Sequence, residues 1–329
     1  MAHEPDSSEH PGRGRSYRHR FESPFWRRVF LAGIRTIPQP LQRASMPLWA
    51  GIFYLAVPAA RRIVEANLDH VLGDAQAAVR HLRSFRLFIN YAQSITNMYA
   101  LHLGHRLPID PTFDESGRAR LRALLAQGKG AIVVTGHLGF WSLAPFMMEE
   151  NGLAAPLVAM AEEPAAGVQD FEKQLRSKWR VVYTTQSPFA SLELAAALRR
   201  GEMVAMQLDR HTGGAHLRLP FFGREAAFPL GPATLARATR APIVPVFMVR
   251  EGQKGFRLTV EDPIYVEHTR DRDGDLHDAT SRMVSVYESY VQRFPFQWFN
   301  FHDFWATPDP VAQGGAPPTE RAPRRAESA

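Results

Sequence analysis

The sequence predicts an α/β fold: a mostly parallel central sheet flanked by helices, behind an N-terminal helical, membrane-associating layer. Three observations carry this. Short β-branched runs alternate with helical stretches through the second two-thirds of the chain. One such run, Ala131-Ile-Val-Val-Thr135, ends directly in Gly136-His137-Leu138-Gly139, a strand entering a tight turn. Upstream, Val64, Leu68, Val71, then Leu82, Phe85, Phe88, Tyr91 and Ile95 recur at the spacing of a helix face. The expected organisation is a disordered basic tail over 1–22, a helical layer over 23–105, an α/β domain over 106–306 and a disordered tail over 307–329.

The elements follow in order. Residues 46–60, beginning Met46-Pro-Leu-Trp, form the most hydrophobic stretch of the chain. It is 15 residues long, short of the roughly 18–20 that a spanning helix needs. Arg43 precedes it and Arg61 and Arg62 follow, which suits an interfacial element as well as a buried core helix. Residues 61–103 read as helical, as do 116–127, which Gly128 and Gly130 close before the strand at Ala131. Past the His137 turn, a helical stretch starts at Phe140 and Trp141. Strands are expected at 157–160, 181–183, 203–208, 243–250 and 256–260, and helices at 170–178, 191–200, 231–239 and 276–293.

Composition narrows the chemistry. The chain has 329 residues and no cysteine, which excludes disulfides, thiolate nucleophiles and Cys-based metal sites. A net charge of +6, carried mostly by Arg, favours an anionic partner or surface. The dispersed basic residues match no nucleic-acid motif, so nucleic acid is not expected. No secretory signal is evident, and there is no Gly-rich nucleotide loop. Among 13 histidines none forms His-Glu-x-x-His, and His211 with Asp209 and His216 is too loose a group to predict a metal.

His137 stands where open α/β sheets place their ligands, at the carboxyl end of a strand. The flanking glycines admit another molecule close to the backbone, and an imidazole there can take a proton near neutral pH. The plainer reading is a loop histidine satisfied by a carbonyl. Three further blocks follow: Gln207-Leu-Asp209-Arg210-His211, the run from Leu219 through Gly223, Arg224 and Gly231 to Pro232, and Ala241-Pro-Ile-Val-Pro-Val-Phe247 ending at Arg250. Each block alone could be a packed turn or a helix start; their joint order is harder to produce by chance.

Together these blocks resemble the lysophospholipid acyltransferase superfamily. The branch they resemble most is the bacterial lipid A lauroyl/myristoyl acyltransferases and the related phosphatidylinositol mannoside acyltransferases. The resemblance runs over about residues 61–305. It takes in Glu65-Ala-Asn67-Leu-Asp-His-Val-Leu-Gly upstream and Phe294-Pro-Phe-Gln-Trp298-Phe-Asn-Phe-His302 at the close. It implies an O-acyltransferase at the cytoplasmic face of the bacterial inner membrane, monotopic or with a short N-terminal anchor. Such an enzyme moves a fatty acyl group from acyl carrier protein or coenzyme A, as co-substrate, to a hydroxyl of a glycolipid or lysolipid. No other cofactor is implied.

In that family the histidine of a His-x4-Asp/Glu motif is the general base. His137 matches it, but Ser142 stands where the acid belongs. A hydroxyl can fix a tautomer but cannot offset an imidazolium charge. Three outcomes follow: another carboxylate serves, Asp209 before Glu149 or Glu150; the enzyme is slow or has an easier acceptor; or the protein is a non-catalytic lipid-binding relative. Ser142 as a nucleophile lacks the glycines of a nucleophile elbow. Backbone N–H groups of the turn or of the start of the following helix are expected to meet the oxyanion. Gly139, Ser142, Arg210, Gly223, Arg224, Gly231 and Arg250 are expected to contact substrate, the arginines through phosphates. Phe140, Trp141, Phe146 and Met147 are candidates for an acyl channel, with core packing as the plainer reading.

Overall fold

The computed structural model describes residues 24–105, 110–153, 157–160, 180–183, 189–210, 215–252 and 255–306. Both expected tails, the expected helix over 170–178 and His211 lie outside them.

Four helices come first: α1 (Pro24–Thr36), α2 (Gln39–Ala56), α3 (Pro58–Leu72) and α4 (Ala77–His102). The apolar stretch at 46–60 is therefore two elements rather than one. Pro58 opens α3 at a position that tolerates proline, and it drives the preceding Val57 out of the helical region, to φ −123° and ψ 63°. The helical run at 61–103 is likewise split, by Gly73 at φ 77°. Tyr54, Val57, Val64, Leu68, Leu87 and Phe88 pack these helices into a core of their own, closed by Phe299 from the chain's end.

The α/β part runs β1 (Asp110–Phe113), α5 (Glu115–Leu125), β2 (Ala131–Thr135), a 3-10 turn (Trp141–Leu143), α6 (Ala144–Glu150), β3 (Leu157–Met160) and β4 (Val181–Tyr183). It continues through α7 (Ala190–Arg199), β5 (Met203–Gln207), β6 (His216–Phe221), β7 (Arg224–Pro229), α8 (Gly231–Thr239), β8 (Ile243–Glu251), β9 (Gly255–Val260), α9 (Arg272–Arg293) and a last 3-10 turn (Pro295–Gln297). One sheet has the order β1-β9-β8-β2-β5-β3-β4. From β8 to β4 every pairing is parallel; β9 is antiparallel to β8, and β1 pairs parallel with β9. The expected mostly parallel sheet is thus present.

Its central strands are apolar on both faces because both faces are covered. Ile132 and Val134 of β2 point into a core with α7, α8 and α9, whereas Ala131 and Val133 point into the opposite core with α5 and α6. The pair β6–β7 forms a separate antiparallel hairpin. Its two-residue turn, Phe222-Gly223, has φ of 50° and 73°, the left-handed pair that matches the twist of the strands.

Candidate active site

The register of the sheet builds the site. Thr135 at the end of β2 pairs with Gln207 at the end of β5. His137 and Asp209, each two residues further on, therefore leave the sheet side by side. Leu208 N donates to Thr135 O at 2.8 Å and holds the two exits together. Asp209 Oδ1 then accepts from His137 Nδ1 at 2.9 Å, and Oδ2 accepts from the His137 backbone N–H at 2.7 Å. A third donor comes from α9, the Tyr287 hydroxyl, 2.6 Å from Oδ2. Sequence reasoning missed Tyr287, whose only trace is a helical position in α9.

The site is walled in. The Asp209 side chain has 0% exposure and that of His137 12%. Burial alone would raise the Asp209 carboxyl; the facing imidazole and the three hydrogen bonds outweigh it and hold the group far below the ordinary carboxylate range. For His137 burial wins. It lowers the imidazole from its usual value, with Asp209 pulling the other way and Arg210 adding to the depression. Tyr287 is pushed well above its ordinary value by burial first, then by the Asp209 charge. An ionised carboxylate can only accept, so Nδ1 carries the proton and Nε2 is left bare. His302 is a second imidazole in the same field, pushed down to about 4 by burial and then by Arg210. Its signal in the sequence was no more than a histidine closing an aromatic block.

Glycine is required twice here. A Cβ on Gly136 would overlap the Tyr287 ring. One on Gly139, at φ 64°, would overlap the Met248 carbonyl. The turn is bolted down by main-chain bonds: Phe299 N to His137 O at 2.7 Å, Gly139 N to Gln297 O at 2.7 Å and Phe140 N to Met248 O at 2.6 Å. The amides of His137, Gly139 and Phe140 are consequently engaged, which removes them as the oxyanion donors that the sequence suggested. The upstream and closing motifs meet in this support: Asn67 Nδ2 donates to the carbonyls of Asn300, at 3.2 Å, and His302, at 2.9 Å.

The other expected site residues scatter. Ser142 is buried in the 3-10 turn, and the acid on the ring is Asp209. Trp141 meets the His137 ring edge-on at 5.2 Å. Phe140, against Phe256 at 4.4 Å, and Met147 are buried in the α5–α6 core; they pack there rather than wall an open channel. The Phe146 side chain lies outside the described residues. Arg210 is exposed beside the site. Arg250 is committed to α4, reaching Asn90 Oδ1 at 2.5 Å and the Gln93 side chain. Gly223 makes the hairpin turn, and Arg224 beside it meets His70 of α3. Gly231 opens α8 under the Met206 side chain. Among the described residues no cluster of acids and histidines could hold a metal.

The chain is similar to several known lipid acyltransferases. A phosphatidylinositol mannoside acyltransferase of Mycobacterium tuberculosis (strain CDC 1551 / Oshkosh) is 23% identical over 277 residues, 83% of this chain and 85% of that protein. A protein of the same name from Mycolicibacterium smegmatis (strain ATCC 700084 / mc(2)155) is 23% identical over 274 residues, covering 83% and 88%. The crystal structure of a 1-acyl-sn-glycerophosphate acyltransferase, PlsC, from Thermotoga maritima covers 75% of this chain and 97% of its own, at 13% identity and a TM-score of 0.33, too distant to bear on the site. The family model for bacterial lipid A biosynthesis acyltransferases matches residues 12–307, so the chain belongs to that family and is a lipid acyltransferase.

Proposed function

We propose that this acyltransferase moves a fatty acyl group from an acyl carrier protein or coenzyme A thioester to a hydroxyl of a glycolipid or lysolipid, with His137 as general base. The observation that carries the proposal is the ionised, buried Asp209 on Nδ1, which leaves Nε2 as the proton acceptor. The hydroxyl gives its proton to Nε2 as its oxygen attacks the thioester carbonyl. The tetrahedral oxyanion collapses, the C–S bond breaks, and the proton passes from Nε2 to the departing thiolate. Asp209 steadies the imidazolium between these steps, supplying the charge that Ser142 cannot. Arg210 is the cation whose field reaches the ring and suits the developing oxyanion. The relatives' name favours a glycolipid acceptor. The non-catalytic reading loses its ground, because it rested on the want of an acid.

The reading includes attachment to the cytoplasmic face of a membrane. No helix among the described residues is long and apolar enough to cross one. Instead α2 turns Leu48, Trp49, Ile52 and Leu55 outward, Leu55 with 72% exposure. Residues 24–64 hold six arginines and no acid, which suits anionic lipid. The test is thioester consumption by wild type and His137→Ala with a panel of hydroxyl lipids on anionic vesicles. Acceptor-dependent release by wild type, lowered at least 100-fold in the variant, is expected. Equal release by both would overturn the role of His137.

A further inference from the structure

A cavity of about 120 Å³ lies between α2 and α4. Its wall includes Gln39, Arg43, Met46, Gln93, Thr96 and Asn97. Asn97 is 8% exposed, yet its side-chain Nδ2 is buried with no hydrogen-bond partner. A buried donor left unpaired costs about 1–3 kcal/mol, and such a group calls for a partner that completes it. The neighbouring polar groups are biased the same way. Gln93 Oε1 already accepts from Arg250, so the amide group that Gln93 still offers is its Nε2 donor. Thr96 brings a hydroxyl and Arg43 a guanidinium, and among the described residues no carboxylate lines the space. Arg250 stands behind Gln93, with the charge of Arg86 close enough to act on it.

Donors and positive charge without an acid select an acceptor-rich anion. Arginine with amide donors is the usual dress of a phosphate site. The helix that lines the cavity, α4, also reaches the candidate active site from another of its faces. Ser94, one residue past Gln93 on α4, donates to the Gly139 carbonyl at 3.3 Å, and Gly139 is two residues from His137. Met46 and Pro47 give part of the wall an apolar character that a bare ion would not use but an ester's carbon chain would.

We propose that this cavity binds the phosphate ester of a substrate, with Arg43, Gln93, Thr96 and Asn97 as its donors. The inference rests on the acyl-transfer reading above and adds the substrate group that is held. Two sources carry the chemistry: the phosphate of the thioester donor's pantetheine arm, and a phosphate in the acceptor's headgroup.

Calorimetric titration with pantetheine 4′-phosphate and with glycerol 3-phosphate, each against its unphosphorylated twin, separates them. One phosphorylated probe is expected to bind wild type at least tenfold more tightly than its twin. Arg43→Gln and Asn97→Leu should each weaken that binding at least tenfold. Asn97→Leu removes the unpaired donor with little change of shape, so its melting temperature should not fall, and it tests the site even where Arg43→Gln is poorly folded. Arg257→Gln, whose salt bridge to Glu251 is at the surface, should bind as wild type does. Binding of neither probe, or equal binding by wild type and Asn97→Leu, overturns the proposal. Phosphate-dependent binding without thioester turnover would instead sink the acyl-transfer reading and leave the site standing.

Discussion

Replacing Asp209 with asparagine isolates what the carboxylate does. Its Oδ1 accepts one bond, from His137 Nδ1, and its Oδ2 accepts two, from His137 N–H and Tyr287 O–H. Asparagine offers one oxygen and one NH2. If the oxygen faces Nδ1, the NH2 meets two buried donors, and leaving each unpaired costs about 1–3 kcal/mol. If the oxygen faces the two donors, the NH2 meets Nδ1, which must then be bare. The second arrangement leaves fewer groups unsatisfied and so prevails. It moves the ring proton to Nε2, and the base is lost without loss of the fold. The corresponding substitution in a serine-protease triad lowers turnover about 10⁴-fold, or about 5 kcal/mol at 1.36 kcal/mol per tenfold. The assay is release of thiol from the thioester donor in the presence of acceptor. Because the chain has no cysteine, a thiol reagent reports product alone. A variant that melts like wild type and turns over 10³- to 10⁴-fold more slowly is expected. Turnover within tenfold of wild type would refute the assignment.

Tyr287→Phe removes a buried bond to a charged acceptor and should cost about 1.5–3 kcal/mol of stability by urea unfolding. Its turnover should stay above that of Asp209→Asn, since Nδ1 keeps its carboxylate; an unchanged urea midpoint would contradict this. Acidification should act in one direction on both groups. The folded-state values of His137 and Asp209 are each depressed, so the unfolded chain binds more protons as pH falls. The stability each contributes is in place above its unfolded value, about 6.5 for the imidazole and 3.9 for the carboxyl, and is lost as pH drops below it. Urea midpoints at pH 7, 5.5 and 4 should fall in that order, and the acid limb of kcat/KM should lie below the ordinary imidazole value.

The parallel core was legible because β2 and most of β8 are buried on both faces and read as apolar runs, and β5 opens on one. The β6–β7 hairpin was not. Its turn is Phe222-Gly223, and a phenylalanine at positive φ gives none of the Asn-Gly signal that marks such a turn. Strand β1, four residues opening on Asp-Pro, has too short a pattern to stand out. At the site, His137 was legible from its glycines and its place after a strand. Asp209 was legible as an acid at a neighbouring strand end, and the Thr135–Gln207 register turned that into contact. Tyr287 was hidden because a tyrosine on a core-facing helix stripe looks like any other packed aromatic residue. Arg250 and Arg224 read as phosphate ligands from charge alone, whereas their partners come from distant elements that charge does not reveal.

The protonation state of the His137 ring is the most direct test of the account. Nitrogen-15 chemical shifts of the imidazole at neutral pH should show a proton on Nδ1 and a bare Nε2 in wild type, and the opposite tautomer in Asp209→Asn. A wild-type ring protonated on Nε2, or on both nitrogens, would contradict it.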